Sequence, residues 1–277
     1  MIDWGNVIVL IHKEMRDALR NRWFVLYAIA FAGLSLALAG MALSGAGNYG
    51  LAGFGRTSAS LINLILLIVP LMGLTLGAMS LAGEREKGTL IYLMAQPISQ
   101  WELLLGKFSG MALALMAALA LGFGLTGLLL ALNGGGAEIG AYINLLLLSC
   151  LLAIVSLSAG FFISAAVTRS ETAVGLALFL WLIMVFLGDL GLMGTAVVLQ
   201  LNVHELLAAA LVNPLQLFKL ASVLNLRQNL EALGPAGVYA SRTYGDRLLP
   251  LLITLMSLWA IIPFLLATRI FKRKGVI

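Results

Sequence analysis

The sequence predicts an all-α integral membrane protein with six transmembrane helices, and three observations predict it. Of its 277 residues 61% are apolar and 10% charged, with a mean hydropathy of +1.04, whereas a soluble domain is roughly 45–50% apolar and about 25% charged. Stretches free of Asp, Glu, Lys and Arg run from Trp23 to Gly55, Thr57 to Gly83, Phe108 to Ala137, Ile139 to Thr168 and Leu248 to Thr268. Each reaches the roughly 20 residues a helix needs to cross a bilayer. A further stretch from Thr172 to Leu199 is broken only by Asp189 and makes a sixth. The third observation is that Lys and Arg gather in alternate connections, as orientation signals do.

In chain order, residues 1–22 precede the membrane. Trp4, Ile8, Ile11, Met15 and Leu19 recur at helical spacing, with Lys13, Arg16, Asp17 and Arg20 between them, which predicts an amphipathic helix lying on the membrane surface. The first span is preceded by too long a charged segment for a cleaved signal peptide. The spans are expected at 23–43, 59–82, 104–132, 141–167, 172–199 and 248–268. The N-terminus, the second connection (Arg85, Lys87, Lys107), the fourth (Arg169) and the C-terminus (Arg269, Lys272, Arg273, Lys274) carry the basic residues of one side. Both termini are therefore expected in the cytoplasm. The fifth connection, 200–247, falls on the outer side; its four basic residues argue back, but long segments translocate with less regard to charge. Within it Asn213-Pro214 has the form of a helix start, Leu217, Leu220, Ala221 and Leu224 follow at helical spacing, and Gly234-Pro235 stops the run. An amphipathic hairpin of this kind packs on the spans, rests in the outer headgroups or docks a soluble partner, and the residues leave all three open.

The second connection carries the most information. Gly83-Glu-Arg-Glu-Lys-Gly-Thr-Leu90 is charged, and Leu90, Ile91, Leu93 and Met94 then stand among polar residues up to Pro97. This predicts a short helix beginning at Gly88 or Thr89, ended by Pro97, lying against the inner face and able to insert into a cytoplasmic partner. Other chemistries find little support. Gly106-Lys107 is followed by Phe108 and has Trp101 where a phosphate-binding loop needs its first Gly, so any ATP is hydrolysed elsewhere. The sequence has no H-E-x-x-H and no G-x-S-x-G. The single Cys150 excludes an internal disulfide. His12, His204 and eleven methionines show no metal-ligand spacing. The net charge of +5 flanks the spans and does not form a nucleic-acid stripe. Asp189 is either a functional acid within a span or the mark of its outer end. Gly73-Leu-Thr-Leu-Gly77 is a G-x-x-x-G whose close approach serves packing within one subunit or between two.

The run Glu84-Arg-Glu-Lys-Gly-Thr89 with Leu93, Pro97 and Ser99, together with Lys13-Glu-Met-Arg-Asp17, resembles the ABC-2-type permeases. The outer segment Asn213-Pro-Leu-Gln-Leu-Phe-Lys219, with Leu226-Arg-Gln-Asn229, Gly234-Pro235 and Ser241-Arg-Thr-Tyr-Gly245, is similar to the NosY-like members that serve nitrous oxide reductase maturation. The resemblance implies a type V ABC exporter-like fold: an N-terminal amphipathic elbow helix, six spans, a cytoplasmic coupling helix at 84–100 and an outer helical insertion between spans five and six. It implies a permease subunit of the cell inner membrane that is not itself an enzyme and binds no cofactor. The implied partners are a separate ABC ATPase (NosF-like), a periplasmic copper-handling protein (NosD-like) and a second copy of the chain. Glu84, Arg85, Glu86, Lys87, Gly88 and Thr89 would couple to the ATPase, and Asn213, Pro214, Phe218 and Arg227 would lie where the periplasmic partner docks. The transported species is left open between copper, a sulfur compound and none. The competing class is an ion-coupled secondary transporter, which wants ionisable groups deep in several spans.

Overall fold

The computed structural model describes residues 3–44, 53–133, 139–188, 202–225 and 234–274. The described elements are helical: α1 (Trp4–Arg20), α2 (Arg22–Ser44), α3 (Gly53–Glu86), α4 (Thr89–Met94), α5 (Gln100–Leu132), α6 (Ile139–Ala166), α7 (Ser170–Phe186), α8 (Val203–Val212), α9 (Pro214–Asn225), α10 (Gly234–Tyr244) and, after a 3-10 turn, α11 (Leu248–Lys274). Among the described residues five helical stretches are long and apolar enough to cross a membrane, namely Arg22–Met41, Ser60–Glu86, Gln100–Leu132, Ile139–Ala166 and Tyr239–Arg273. Helices α8 and α9, bent by 109° at their junction, make a sixth if the pair is one span. The chain is thus an all-α, multi-pass membrane protein. The expected crossing at 172–199 overlaps α7, a 17-residue apolar helix shorter than the five; the part from Asp189 on lies outside the described residues, as does Arg227.

Helix pairs in a membrane gain little from the hydrophobic effect, because lipid is as apolar as leucine, so close packing and interhelical hydrogen bonds hold them. The α3–α6 pair at the centre of the bundle shows both. A Cβ on Gly77 would stand 2.5 Å from Leu157 O, and one on Gly73 would stand 2.9 Å from Ala153 O. Gly73-x-x-x-Gly77 therefore packs within the subunit, settling the choice the sequence left open. Toward the end of the same pair, Ser164 Oγ accepts from the backbone N–H groups of Leu81 and Ala82 at 2.9 and 2.8 Å.

Aromatic rings tie the outer helices to this pair. Phe108 of α5, Phe161 of α6 and Phe264 of α11 form a triangle with centroid separations of 4.6 to 5.9 Å. Phe31 of α2 meets Phe123 of α5, which meets Tyr142 of α6. Pro263 interrupts the hydrogen-bond ladder of α11. Beside this break, the Ala260 carbonyl accepts the Ser158 hydroxyl of α6 at 2.6 Å, an interhelical hydrogen bond.

Two ends of the bundle can be distinguished by contacts. At one end, the end of α3, all of α4, the start of α5, the α6–α7 junction and the end of α11 come together. Lys272 lies 4.4 Å from the centroid of the Trp101 ring there, and Arg85 and Glu86 reach Val167 and Ser170. At the other end, Asn225 at the close of α9 donates to Ala141 O and accepts from Asn144 near the start of α6.

Candidate functional site: the corner between α3, α4 and α5

The span expected to stop at 82 continues as α3 through Glu86, so Glu84, Arg85 and Glu86 belong to a helix and not to a charged loop. Successive helical side chains point about 100° apart. Three in a row therefore sweep more than half a turn, and each finds a different neighbour. Glu84 reaches Lys13 of α1 and Lys107 of α5 at 3.0 and 2.8 Å. Arg85 Nη1 donates to the Val167 carbonyl at the end of α6, at 2.7 Å. Glu86 accepts from the Ser170 backbone N–H at 2.9 Å and from its hydroxyl, so it satisfies an orphan donor of the first turn of α7, where a carboxylate is also favoured by the helix dipole.

Beyond Glu86 the chain turns at Gly88, whose φ of 70° lies in the left-handed region that favours glycine. It forms the N-cap of α4, and the Thr89 hydroxyl donates back to the Glu84 carbonyl at 3.2 Å. Leu90 is fully buried and pins α4 to the bundle, while Ile91 and Tyr92 are 61% and 76% exposed on its outer side. Ser99 and Glu102 then start α5 with a reciprocal capping box. Glu102 also accepts from the Asp3 N–H and the Asn6 side-chain amide, so one carboxylate fastens the first turns of both α1 and α5.

Residues that the sequence reading had given no role at this corner now stand inside it. Lys107 is 1% exposed, and its Nζ lies 2.7 Å from Glu14 and 2.8 Å from Glu84. Lys13 joins the same two carboxylates at 3.0 Å each. The four groups close a ring of alternating charge across α1, α3 and α5. Burial of Lys13 opposes its charge, yet the carboxylates of Glu14 and Glu84 outweigh it and hold the ammonium above its ordinary range. Close approach of α1 makes the ring possible. A Cβ on Gly106 would meet Leu10 Cβ at 2.6 Å, and one on Gly110 would meet Glu14 Cβ at 2.7 Å. Two signals for this were legible: Ser99-x-x-Glu102, the pattern of a capping box, and Gly106-x-x-x-Gly110 framing the lone Lys107. On α1 the expected apolar stripe stays accessible, with Trp4, Ile8 and Leu19 exposed and Ile11 and Met15 half-buried, while a different face, Val7, Leu10, Glu14 and Ala18, is buried against the bundle. A cavity of about 680 Å³ opens between α1, α3, α4 and α5, with Lys13, Glu84, Lys107 and Tyr92 in its lining.

The outer residues fall differently. Pro214 and Phe218 are buried against the bundle, and Asn213 donates to Met184 O while accepting from Leu215 N. These three hold α8 and α9 in place and do not face outward as docking side chains would. Exposed residues of the outer segment include Val203, His204 and Val212 of α8 and Arg242 to Arg247 after it, with the His204 ring 6.2 Å from that of Tyr239.

Comparison with known proteins agrees with this architecture along nearly the whole chain. The family model described as ABC-2 family transporter protein matches residues 8–276. The probable ABC transporter permease protein NosY of Stutzerimonas stutzeri is 32% identical over 270 residues, covering 95% of this chain and 96% of that protein. Its counterpart in Pseudomonas aeruginosa is 33% identical over 276 residues, covering 98% and 99%. With a long-helix bundle, a short helix held at one end between α3 and α5, and a match of this extent, the chain belongs to the ABC-2 family of transporter proteins, as a NosY-like permease.

Proposed function

We propose that this permease couples ATP hydrolysis by a separate ATPase subunit to work across the inner membrane, and that α4 is where the ATPase acts. One observation carries the reading. A six-residue helix, anchored by Leu90, turns Ile91 and Tyr92 outward at the end of the bundle that also holds Lys13, Arg85, Lys87, Lys107 and Arg169. Basic residues mark the cytoplasmic side, and exposed apolar side chains on an otherwise charged corner fit a hydrophobic groove on a soluble protein. Both termini are then cytoplasmic. A push on α4 reaches α3 through Thr89 and Glu84, and α3 passes it to its neighbours through the three side chains at 84–86.

By similarity to the NosY permeases the work serves copper-site maturation of nitrous oxide reductase, with a NosF-like ATPase, a NosD-like periplasmic partner and a second copy of the chain. The species moved stays open between copper, a sulfur compound and none. An ion-coupled transporter would place ionisable groups deep in its spans. Among the described residues, the buried charged side chains Glu14, Glu102 and Lys107 all sit at the α4 end.

The test is purification from the native membrane in mild detergent, with vanadate-sensitive ATPase activity as the readout. A P-loop ATPase that co-purifies, and is lost from an Ile91→Asp, Tyr92→Asp variant that still inserts, supports the reading. A chain that purifies alone and is indifferent to that double substitution sinks it.

A further inference from the structure

We propose that Lys107 is a positioning residue that locks α1 to the α3–α4 corner, so that α1, the end of α3 and the start of α5 move as one body when α4 is pushed. The proposal rests on α4 as the point of ATPase action; the lock itself rests on the ring geometry.

Helix α1 is joined to α2 only through Asn21, whose extended backbone ends the helix, so covalent continuity does not fix α1 against α3. The ring does. Glu14 belongs to α1, Glu84 to α3 and Lys107 to α5, and each carboxylate is bonded to both lysines at 2.7 to 3.0 Å. Sliding α1 by an ångström or two would part Glu14 from an ammonium that has almost no access to water, and a buried charge that loses its partner is strongly destabilising. The alternative arrangements are closed as well, because Gly106 and Gly110 bring α1 and α5 into backbone contact with no slack. Glu102 adds a second tie between the first turns of the same two helices.

The remaining links from the end of α3 are of another kind. Glu86 and Ser170 meet in an exposed position, where water can replace either partner. Arg85 makes one bond to Val167, and its Nε and Nη2 are buried without a hydrogen-bond partner among the described residues. The side-chain links of Arg85 and Glu86 can therefore give, while the ring toward α1 and α5 is stiff; α3 itself stays held to α6 by Ser164 and the glycine contacts. A stroke delivered at α4 is carried into α1 and α5 through the ring.

The test uses the whole permease with its ATPase in lipid nanodiscs, with nitroxide labels at Val9→Cys on α1 and Leu67→Cys on α3, both exposed sites outside the ring, in a Cys150→Ala background diluted with unlabelled protein. The expected result is a narrow α1–α3 distance distribution, unchanged by vanadate trapping. In Glu14→Gln, Glu84→Gln, Lys107→Met, which removes the ring without stranding a buried charge there, the distribution should broaden. Permease stimulation of ATPase activity should then fall by about fivefold or more, the lower end of typical coupling between sites, while the thermal midpoint stays close to the parent. A narrow distribution with full stimulation in the triple variant overturns the proposal, as does a distance that shifts on trapping in the parent. If no ATPase associates, the function proposed above fails, and the distance distributions of parent and triple variant in the permease alone still decide the lock.

Discussion

Gly160 stands so close to Leu74 that a Cβ on it would lie 2.3 Å from the Leu74 carbonyl oxygen. With Gly73 and Gly77 on the facing helix, this lets the two central helices of the bundle meet backbone to backbone. Gly160→Ala should cost about 1–3 kcal/mol, the usual range for overpacking, read as a fall in the thermal unfolding midpoint in detergent. Gly175→Ala on α7, where nothing lies within 4 Å of the added carbon, is the control and should be neutral or gain up to about 1 kcal/mol in helix propensity. Equal midpoints for the two would contradict the close α3–α6 contact.

Lys107→Met alone leaves Glu14 and Glu84 facing each other with only the half-exposed Lys13 between them. Breaking a buried pair on one side typically costs about 3–5 kcal/mol. The triple variant that also carries Glu14→Gln and Glu84→Gln should recover most of that loss. Denaturant unfolding of the single and triple variants checks the order, and a triple variant less stable than the single would show that the ring is not the source of the effect.

Lys13 has its ammonium held above the ordinary value of 10.5 by two carboxylates, against the opposing effect of burial. A raised lysine contributes stability that is fully present below its unfolded value and is lost only as pH rises through the folded one. The stability difference between the parent and Lys13→Met should therefore be flat from neutral pH up to the ordinary lysine range and shrink only above it. A difference that declines between pH 7 and 9 would mean the ammonium is not held in the ring.

Leu90 and Ile91 are adjacent in sequence and opposite in consequence, one fully buried and the other 61% exposed. Leu90→Ala should cost about 2–5 kcal/mol as a core truncation. Ile91→Ser should change stability by no more than about 0.5 kcal/mol, as exposed substitutions do, and should weaken ATPase retention during purification. Loss of retention from Leu90→Ala alone would place the docking face elsewhere.

The class of the fold was legible because bilayer thickness turns span length and charge depletion into direct signals. The corner at residues 84–89 was legible in part. Three consecutive charges next to an apolar run mark it in the sequence, but their individual targets depend on the helical rotation between them and on which neighbours stand at each angle. Lys107 was read as an orientation signal because it sits near a span end with other basic residues. Its ring partners Glu14 and Glu84 are 93 and 23 residues away in the chain, and no local pattern connects them. Pro214 was legible as part of a helix start and Phe218 was expected where a periplasmic partner docks; that both are buried is a packing outcome.

What the sequence by itself determined is the solvent this chain folds in, the helical class and the end of the bundle that carries the positive charge, since each follows from composition and spacing along the chain. What only the tertiary structure decided is which glycine faces which backbone and which acid holds which base. Those choices depend on contacts of a few ångströms between residues far apart in sequence, and they are set by the close approach of α1 to α5 and of α3 to α6.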